Sequence, residues 1–144
     1  MNRKIVPIAL LLCAAPVVFA ADGQAVLSHN RACQVTVPAS WVVEGTVGLA
    51  HSPDKLISLV VSSPKSVASF DEFKKIAPTV YTNDKITKQS STEFQMEGTS
   101  TTDKPNVYRA ITTGGSNYCI VNVNYESGTV EDARKIAQTL KPVQ

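Results

Sequence analysis

The sequence predicts an α+β protein, in which a mostly antiparallel sheet of about six or seven strands packs with two helices. Three observations predict this class. Several short β-branched runs alternate apolar and polar residues, two segments have apolar residues at helical spacing, and the connections are mostly short. The predicted order is three strands, a helix, four strands and a second helix. Short connections in this order favour antiparallel pairing.

Residues 1–20 have the three parts of a secretory signal peptide. Arg3 and Lys4 form a positive start, an apolar stretch follows, and the segment ends at Ala20, where cleavage is predicted. The apolar stretch is too short and too poorly flanked for a spanning helix, which leaves an uncleaved membrane anchor as the lesser alternative. A lipoprotein is disfavoured because Cys13 follows leucines rather than a small residue.

Cleavage would leave residues 21–144 as one domain, because 124 residues are too few for two. The chain has 14 Lys and Arg residues against 12 Asp and Glu, and two of the bases lie in the signal, so the domain has a formal charge of zero. A neutral domain argues against nucleic acid and anionic membranes as partners. The sequence thus predicts a periplasmic or secreted protein with no membrane insertion after cleavage.

Two cysteines remain after cleavage, Cys33 and Cys119. An even number in an exported chain predicts a disulfide. Each cysteine shares number parity with the apolar residues of its strand, which allows a bridge if the first and last strands lie close. Two buried free thiols are the alternative. Metal binding is disfavoured because no second Cys or His lies at ligand spacing from either cysteine.

The first half of the domain is predicted from alternation. Residues 21–32 are small and polar and are expected to form a loose lead-in. Strands are predicted at 33–37, at 43–49 and at 56–63, each with apolar residues at every second position. Trp41 is the only tryptophan, and we interpret it as a core plug rather than a binding anchor.

Both helices are predicted from their start signals and their apolar spacing. The first begins with a capping box of Ser69 and Glu72, and Pro78 is expected to kink or restart it near its end. The second has Thr129 as its cap and an apolar stripe that ends at Leu140. Each helix has two adjacent carboxylates in its first turn. The helix dipole explains these carboxylates without a catalytic role.

Between the helices every pattern is that of a strand. The predicted strands are 85–90, which is weak, 93–97, 106–113 and 117–125. The sequence Gly114-Gly115-Ser116 predicts a hairpin between the last two. Phe94 and Met96 are expected to face the same core as Val121 and Val123.

No residue pattern predicts a catalytic or metal site. The two histidines, His29 and His51, are expected in exposed loops, and the Gly-x-Ser-x-Gly motif of hydrolases is missing. The sequence also lacks a calcium loop, a zinc-protease helix and a glycine-rich phosphate loop. We therefore expect no catalytic residue, no cofactor and no metal, and we keep an enzyme with an unrecognised site as an alternative.

One polar sheet face is a candidate partner surface. Number parity along the last two strands is expected to place five polar side chains opposite the core. They are Tyr108, Thr112, Tyr118, Asn122 and Asn124. A face rich in Tyr, Asn and Thr and poor in charge suits adaptable, hydrogen-bonded recognition. The alternatives are a face covered by a helix or by the lead-in, and an ordinary solvated sheet.

Three segments resemble the PsbP-like superfamily, which includes small bacterial exported proteins of the DcrB type. They are a strand followed by Pro and Trp at Val35–Trp41, a first helix at Ser69–Phe73, and a closing helix with Leu-Lys-Pro at Ala133–Pro142. The resemblance implies an α/β/α sandwich around an antiparallel sheet. It also implies a role as an assembly subunit, envelope protein or partner-binding module, in a fold that is not typically catalytic.

These inferences converge on a non-enzymatic exported binding module whose partner is a protein of the cell envelope. Two narrower alternatives are an inhibitor or immunity protein against a cell-envelope enzyme and an envelope assembly factor.

Overall fold

The structure, a computed structural model, describes residues 23–63, 69–80, 84–98, 106–114, 117–126 and 129–143. The predicted signal peptide lies outside the described residues, as do Gly115 and Ser116 of the predicted hairpin loop. Within the described ranges the chain forms ten strands and two helices. They are β1 (Gly23–Leu27), β2 (Cys33–Pro38), β3 (Val42–Glu44), β4 (Leu49–His51), β5 (Ile57–Ser62), α1 (Phe70–Val80), β6 (Asp84–Gln89), β7 (Glu93–Gly98), β8 (Asn106–Gly114), β9 (Asn117–Tyr125), α2 (Val130–Ala137) and β10 (Lys141–Pro142).

The strands form two antiparallel sheets. The larger sheet has seven strands in the order β3-β4-β5-β9-β8-β7-β6, and the smaller has three in the order β1-β2-β10. Each pair of neighbouring strands is antiparallel. The predicted α+β class with a mostly antiparallel sheet is therefore confirmed.

The expectation of a loose lead-in at 21–32 is wrong for part of that segment. Gly23–Leu27 forms β1 and pairs with β2 along its whole length. Val26 is the one residue of this strand that is fully buried, so the segment lacks the regular apolar alternation that marks a strand in a sequence. Its conformation depends on the neighbouring strand.

The single strand expected from Val43 to Leu49 is a hairpin of β3 and β4. Gly45 and Gly48 lie in its turn with φ values of +50° and +74°, a region that glycine enters freely. A side chain at position 48 would also lie 2.5 Å from the main-chain oxygen of Val61. The apolar residues keep their spacing of two through this turn, so alternation does not show where the chain reverses.

The serine half of the predicted capping box is present at the start of α1, whereas no hydrogen bond joins the Glu72 side chain to Ser69. Ser69 Oγ accepts the main-chain N–H of Glu72 at 3.1 Å, which satisfies one of the free donors in the first turn. Pro78 lies inside the helix, and α1 continues past it to Val80, so the expected restart does not occur. The proline is tolerated because it lies in the last turn, where little of the hydrogen-bond ladder follows it.

The start of α2 lacks the predicted cap. The hydroxyl of Thr129 donates to the main-chain oxygen of Glu126 at 2.8 Å, and no side-chain hydrogen bond caps the helix. The threonine hydroxyl therefore bonds within the turn before α2, and its oxygen accepts no N–H of the helix. The predicted apolar stripe is confirmed, because Ala133, Ile136 and Ala137 are buried.

We expect Ser69→Ala to lower the free energy of unfolding by about 1 kcal/mol, because the N–H of Glu72 loses its acceptor. Thr129→Ala is the matched control, since this hydroxyl caps no helix, and it should cause a smaller loss. Urea unfolding followed by circular dichroism measures both variants. Equal losses would contradict the assignment of Ser69 as a cap.

The seven-stranded sheet separates two hydrophobic cores. The disulfide-side core lies between this sheet, the small sheet and α2, and it contains Trp41, Val35, Leu59 and Ile136 among others. The α1-side core lies beneath α1. It consists of Phe70, Phe73, Ala77, Phe94, Met96, Ile111, Tyr118 and Ile120. Trp41 is thus a core residue, as predicted.

The expectation that Phe94 and Met96 face the same core as Val121 and Val123 is wrong. Through β8, Phe94 of β7 aligns with Ile120 of β9. Since successive residues of a strand face opposite sides, Val121 and Val123 belong to the disulfide-side core, whereas Phe94 and Met96 belong to the α1-side core.

Cys33 and Cys119 form a disulfide, and their Cα atoms are 5.6 Å apart. Both cysteines are fully buried. Cys33 begins β2 of the small sheet and Cys119 lies in β9 at the centre of the large sheet. The bond therefore ties the two layers together across the disulfide-side core.

Candidate binding face

Part of the large sheet has no described element over it. On the α1 side, aligned residues of β4, β5, β9 and β8 form a surface that we call the open face. Its residues are Leu49, His51, Ser58, Val60, Val107, Arg109, Asn122 and Asn124. All are half-buried. α1 is the one described element on this side, and its buried side chains pack at the other end of the sheet.

Two of the five side chains expected to share one face lie on the opposite side. Tyr108 pairs with Val123 and Thr112 pairs with Cys119, so both face the disulfide side. Tyr108 is buried, and its hydroxyl donates to Gln95 Oε1 at 2.6 Å. The expectation that Tyr108 and Thr112 belong to a partner surface with the asparagines is therefore wrong.

Tyr118 is on the same side as the asparagines but lies beneath α1. Its ring centroid is 5.9 Å from that of Phe73, and its buried hydroxyl has no hydrogen-bond partner among the described residues. Burial raises the pKa of Tyr118, and the charge of Glu72 adds to this rise. The helix covers this tyrosine, so it is not part of the open face.

Arg109 lies in the middle of the open face, and its charge is neutralised within the protein. Its Nε donates to Asp84 Oδ2 at 2.7 Å, and its Nη1 donates to Asn122 Oδ1 at 2.9 Å. The side chains of Asp84 and Arg109 are 8% and 17% exposed, so their attraction is screened less by water than that of a surface pair. The open face therefore presents little net charge.

Gly98 makes room for this ion pair. Asp84 and Arg109 lie on β6 and β8, which are separated by β7. A side chain at position 98 of β7 would lie 2.0 Å from Asp84 Oδ1. A glycine inside a strand is a signal of close approach. It is the one feature of the sequence that could have indicated this cluster.

Asn124 offers an uncommitted amide on the open face. No hydrogen bond joins its side chain to a described residue, in contrast to Asn122. Its cross-strand neighbours are Ser58 on β5 and Val107 on β8, and all three are half-buried. An amide in this position has donors and an acceptor for an external partner.

His51 ends β4 at the edge of the open face rather than lying in an exposed loop. Its Nδ1 is 2.8 Å from the main-chain oxygen of Ser52, and its Nε2 is 3.9 Å from Glu44 Oε1. The hydroxyl of Ser52 donates to Asp54 at 2.5 Å instead of to the histidine. These distances do not form the serine–histidine–carboxylate chain of a hydrolase.

Two further observations concern the described ranges as a whole. No group of three or more His, Cys, Asp and Glu side chains in these ranges could hold a metal ion. No helix in the same ranges has the length and apolar character needed to cross a membrane.

We expect Tyr118→Phe to leave the free energy of unfolding unchanged or to raise it by up to about 1 kcal/mol, because the buried hydroxyl forms no hydrogen bond. Tyr108→Phe is the matched comparison. It removes the bond to Gln95 and should cost about 1 kcal/mol. Urea unfolding at neutral pH measures both variants, and a larger loss for Tyr118→Phe than for Tyr108→Phe would contradict this description.

The same substitution should change the response to alkali. Because the pKa of Tyr118 is raised in the folded chain, the folded state holds this proton more tightly than the unfolded state. The Tyr118 proton therefore contributes to the free energy of unfolding below the ordinary tyrosine pKa of about 10, and this contribution is lost as the pH rises further. Above that pH, the free energy of unfolding of Tyr118→Phe should therefore fall less steeply with pH than that of the unmodified chain.

Several solved structures resemble this protein, and two of them are compared below. The solution structure of cyanobacterial PsbP (CyanoP) from Synechocystis sp. PCC 6803 aligns with a TM-score of 0.52 and 11% identity, over 92% of this chain and 99% of that chain. A crystal structure of a protein from Bacteroides thetaiotaomicron aligns with a TM-score of 0.60 and 16% identity, over 85% of this chain and 49% of that chain. No protein-family model matches the chain, and no curated protein matches it in sequence. At identities this low, the two alignments show similarity of fold alone. The chain has a PsbP-like fold, as its sequence resemblance implies.

Proposed function

We propose that this chain is an exported, non-enzymatic binding module that acts through a protein partner, and that the partner lies on the open face. The observation that carries the proposal is the arrangement of this face. It is a part of the sheet that no described element covers, it carries half-buried hydrogen-bonding side chains, and its arginine is already paired with Asp84.

The chemistry of the open face favours a protein over other ligands. Asn124 and Ser58 can donate and accept hydrogen bonds, and the aliphatic side chains of Leu49 and Val60 lie between the polar ones. Protein interfaces combine polar and apolar area in this way. A nucleic acid needs concentrated positive charge, whereas Arg109 is neutralised.

Export is supported by the disulfide together with the predicted signal peptide. Disulfides persist in oxidising compartments and are rare in the cytosol of most organisms. The bond between Cys33 and Cys119 is fully buried, so it is built into the fold rather than exposed for redox chemistry. We therefore place the processed protein in the periplasm or outside the cell.

The absence of catalysis is proposed from the geometry around His51. The nearest serine hydroxyl along the chain, that of Ser52, is held by Asp54 and also accepts the N–H of Ile57 at 3.1 Å. A nucleophile held in this way is not activated by the histidine.

Photocrosslinking in the native compartment tests the proposal. A benzoylphenylalanine at position 124 should form a cross-link to one defined protein after irradiation, identified by mass spectrometry. The same group at Gln138, an exposed position beyond α2 on the opposite side of the sheet, is the matched control and should give no such product. Ser58→Arg should reduce the yield at position 124 at least tenfold, and Gln138→Arg should not.

A cross-link of equal yield from both positions, or from neither, would reject the open face as the partner surface. The identity of a captured partner then separates the narrower functions. If it is a cell-envelope enzyme that the processed protein inhibits in stoichiometric amounts, the module is an inhibitor. If it is a subunit of an envelope complex that fails to assemble without this chain, the module is an assembly factor.

A further inference from the structure

A groove lies at the end of β5, beside the open face. Its lining comes from the β1–β2 turn, the β3–β4 turn and the end of β5, and its volume is about 390 Å³, within the range of ligand pockets. The residues that line it include His29, Asn30, Val47, Val60, Ser62 and Ser63. Val60 belongs to both surfaces, so the groove continues the open face.

On its β4 side, the end of β5 has no strand partner beyond Gly48 among the described residues. β4 begins at Leu49, and the last contact on that side is the N–H of Val61, which donates to the main-chain oxygen of Gly48 at 2.8 Å. Main-chain groups of a strand alternate sides with a period of two. By this alternation we expect the N–H of Ser63, one residue beyond β5, to point to the same side, and no hydrogen bond joins its main chain to a described residue.

The lining favours an uncharged aliphatic side chain. Valines form its apolar part, and the described residues that line it include no Asp, Glu, Lys or Arg. A charged side chain would lose water here without gaining a counter-charge, whereas an aliphatic one would cover apolar surface on both sides. Val47 is 49% exposed, so its side chain is accessible to a partner.

We propose that an extended segment of the protein partner enters this groove, pairs through its main chain with Ser63 just beyond β5, and packs one uncharged aliphatic side chain against Val47 and Val60. An added strand uses main-chain bonds for affinity and side-chain pockets for specificity. The groove offers the main chain of Ser63 for the first and the apolar surface at Val47 and Val60 for the second. This inference rests on the proposed function, because it specifies how the partner of the open face is recognised.

Selection from a library of random twelve-residue peptides displayed on phage tests the proposal, with the processed, disulfide-bonded protein as bait. Enriched peptides should share a Val, Ile or Leu at one position. Binding of the synthetic peptides is then measured by fluorescence anisotropy. Val47→Asp should weaken it at least tenfold, and Val47→Ala about threefold. The matched control is Val143→Asp, at an exposed valine (41%) outside both surfaces, which should leave binding unchanged.

Methylation of single main-chain nitrogens in the peptide tests the strand pairing. One nitrogen, opposite Ser63, should be sensitive, with a loss of about tenfold, and its two neighbours should not be, because pairing uses every second N–H. Loss at no position, or equal loss at all three, would reject pairing at Ser63.

The outcomes separate this inference from the proposed function. Peptides that respond to Asn124→Arg and not to Val47→Asp would reject the groove and leave the open face in place. Groove binding without a cross-link from position 124 would reject the open face and keep the groove. Failure to enrich any peptide, while a spiked tag peptide is recovered on its own antibody, would reject the groove. A charged residue at the shared position would reject its aliphatic specificity.

Discussion

Replacing both Cys33 and Cys119 by alanine is expected to lower the free energy of unfolding by about 4–5 kcal/mol, the largest effect of any change considered for this protein. The two cysteines are 86 residues apart. Cutting the bond frees a loop of that length in the unfolded chain, and on the chain-entropy account the gain in unfolded-state freedom grows with the logarithm of the loop. Small domains are stable by only about 5–15 kcal/mol in total.

The position of the bond should add a structural effect to the entropic one. Cys33 lies in the small sheet and Cys119 in the large sheet, so the bond fixes the distance between the two layers. Without it, the small sheet is held to the large sheet by packing in the disulfide-side core. We therefore expect hydrogen exchange to rise first in β1 and β2 of the double variant.

Urea unfolding of the oxidised chain, with and without dithiothreitol, measures this effect. Reductant should destabilise the unmodified protein to about the level of the double variant and should leave that variant unchanged. Thiol titration of the unreduced, urea-unfolded processed protein should find no free thiol. Two free thiols, or a stability loss below about 1 kcal/mol on removal of both cysteines, would contradict the role given to the bond.

The assignment of residues to the two sheet faces depends on hairpin register. Gly114 pairs with Asn117, so partners across the β8–β9 hairpin have numbers of opposite parity, and Tyr108 aligns with Val123. The sequence predicts this hairpin from Gly114-Gly115-Ser116, but these residues fit a loop of two or three. A difference of one residue moves every side chain of a strand to the other face, so the strands were predictable and the faces were not.

Local signals predict the elements whose causes lie within a few residues. The cap at Ser69 and the apolar stripe of α2 are of this kind. β1 and the pairing of Asp84 with Arg109 depend on strands that meet only after folding. For the same reason the composition of a polar face is predictable from the sequence, whereas which of its residues α1 covers is not, as Tyr118 shows.

Phe94→Ala is expected to lower the free energy of unfolding by about 3–5 kcal/mol, the usual cost of removing a buried phenylalanine. Phe94 is fully buried and meets Phe73 of α1 edge-on, with ring centroids 6.4 Å apart. α1 is held to the sheet chiefly through the α1-side core, because the disulfide and α2 lie on the other side. The cavity left by alanine therefore removes a main contact of this helix.

The loss of stability caused by Phe94→Ala should first affect α1. Hydrogen exchange should rise in α1 before it rises in β2 or α2, because the disulfide-side core does not contain Phe94. Ile86→Ala is the matched control on the neighbouring strand β6, at an isoleucine that is 40% exposed, and it should cost less than about 1 kcal/mol. Urea unfolding and native-state hydrogen exchange measure both variants. If Phe94→Ala instead raised exchange in β2 and α2 and left α1 protected, Phe94 would belong to the disulfide-side core after all. The residues of the open face lie on the same side of the sheet as Phe94, so they too would then face the disulfide side.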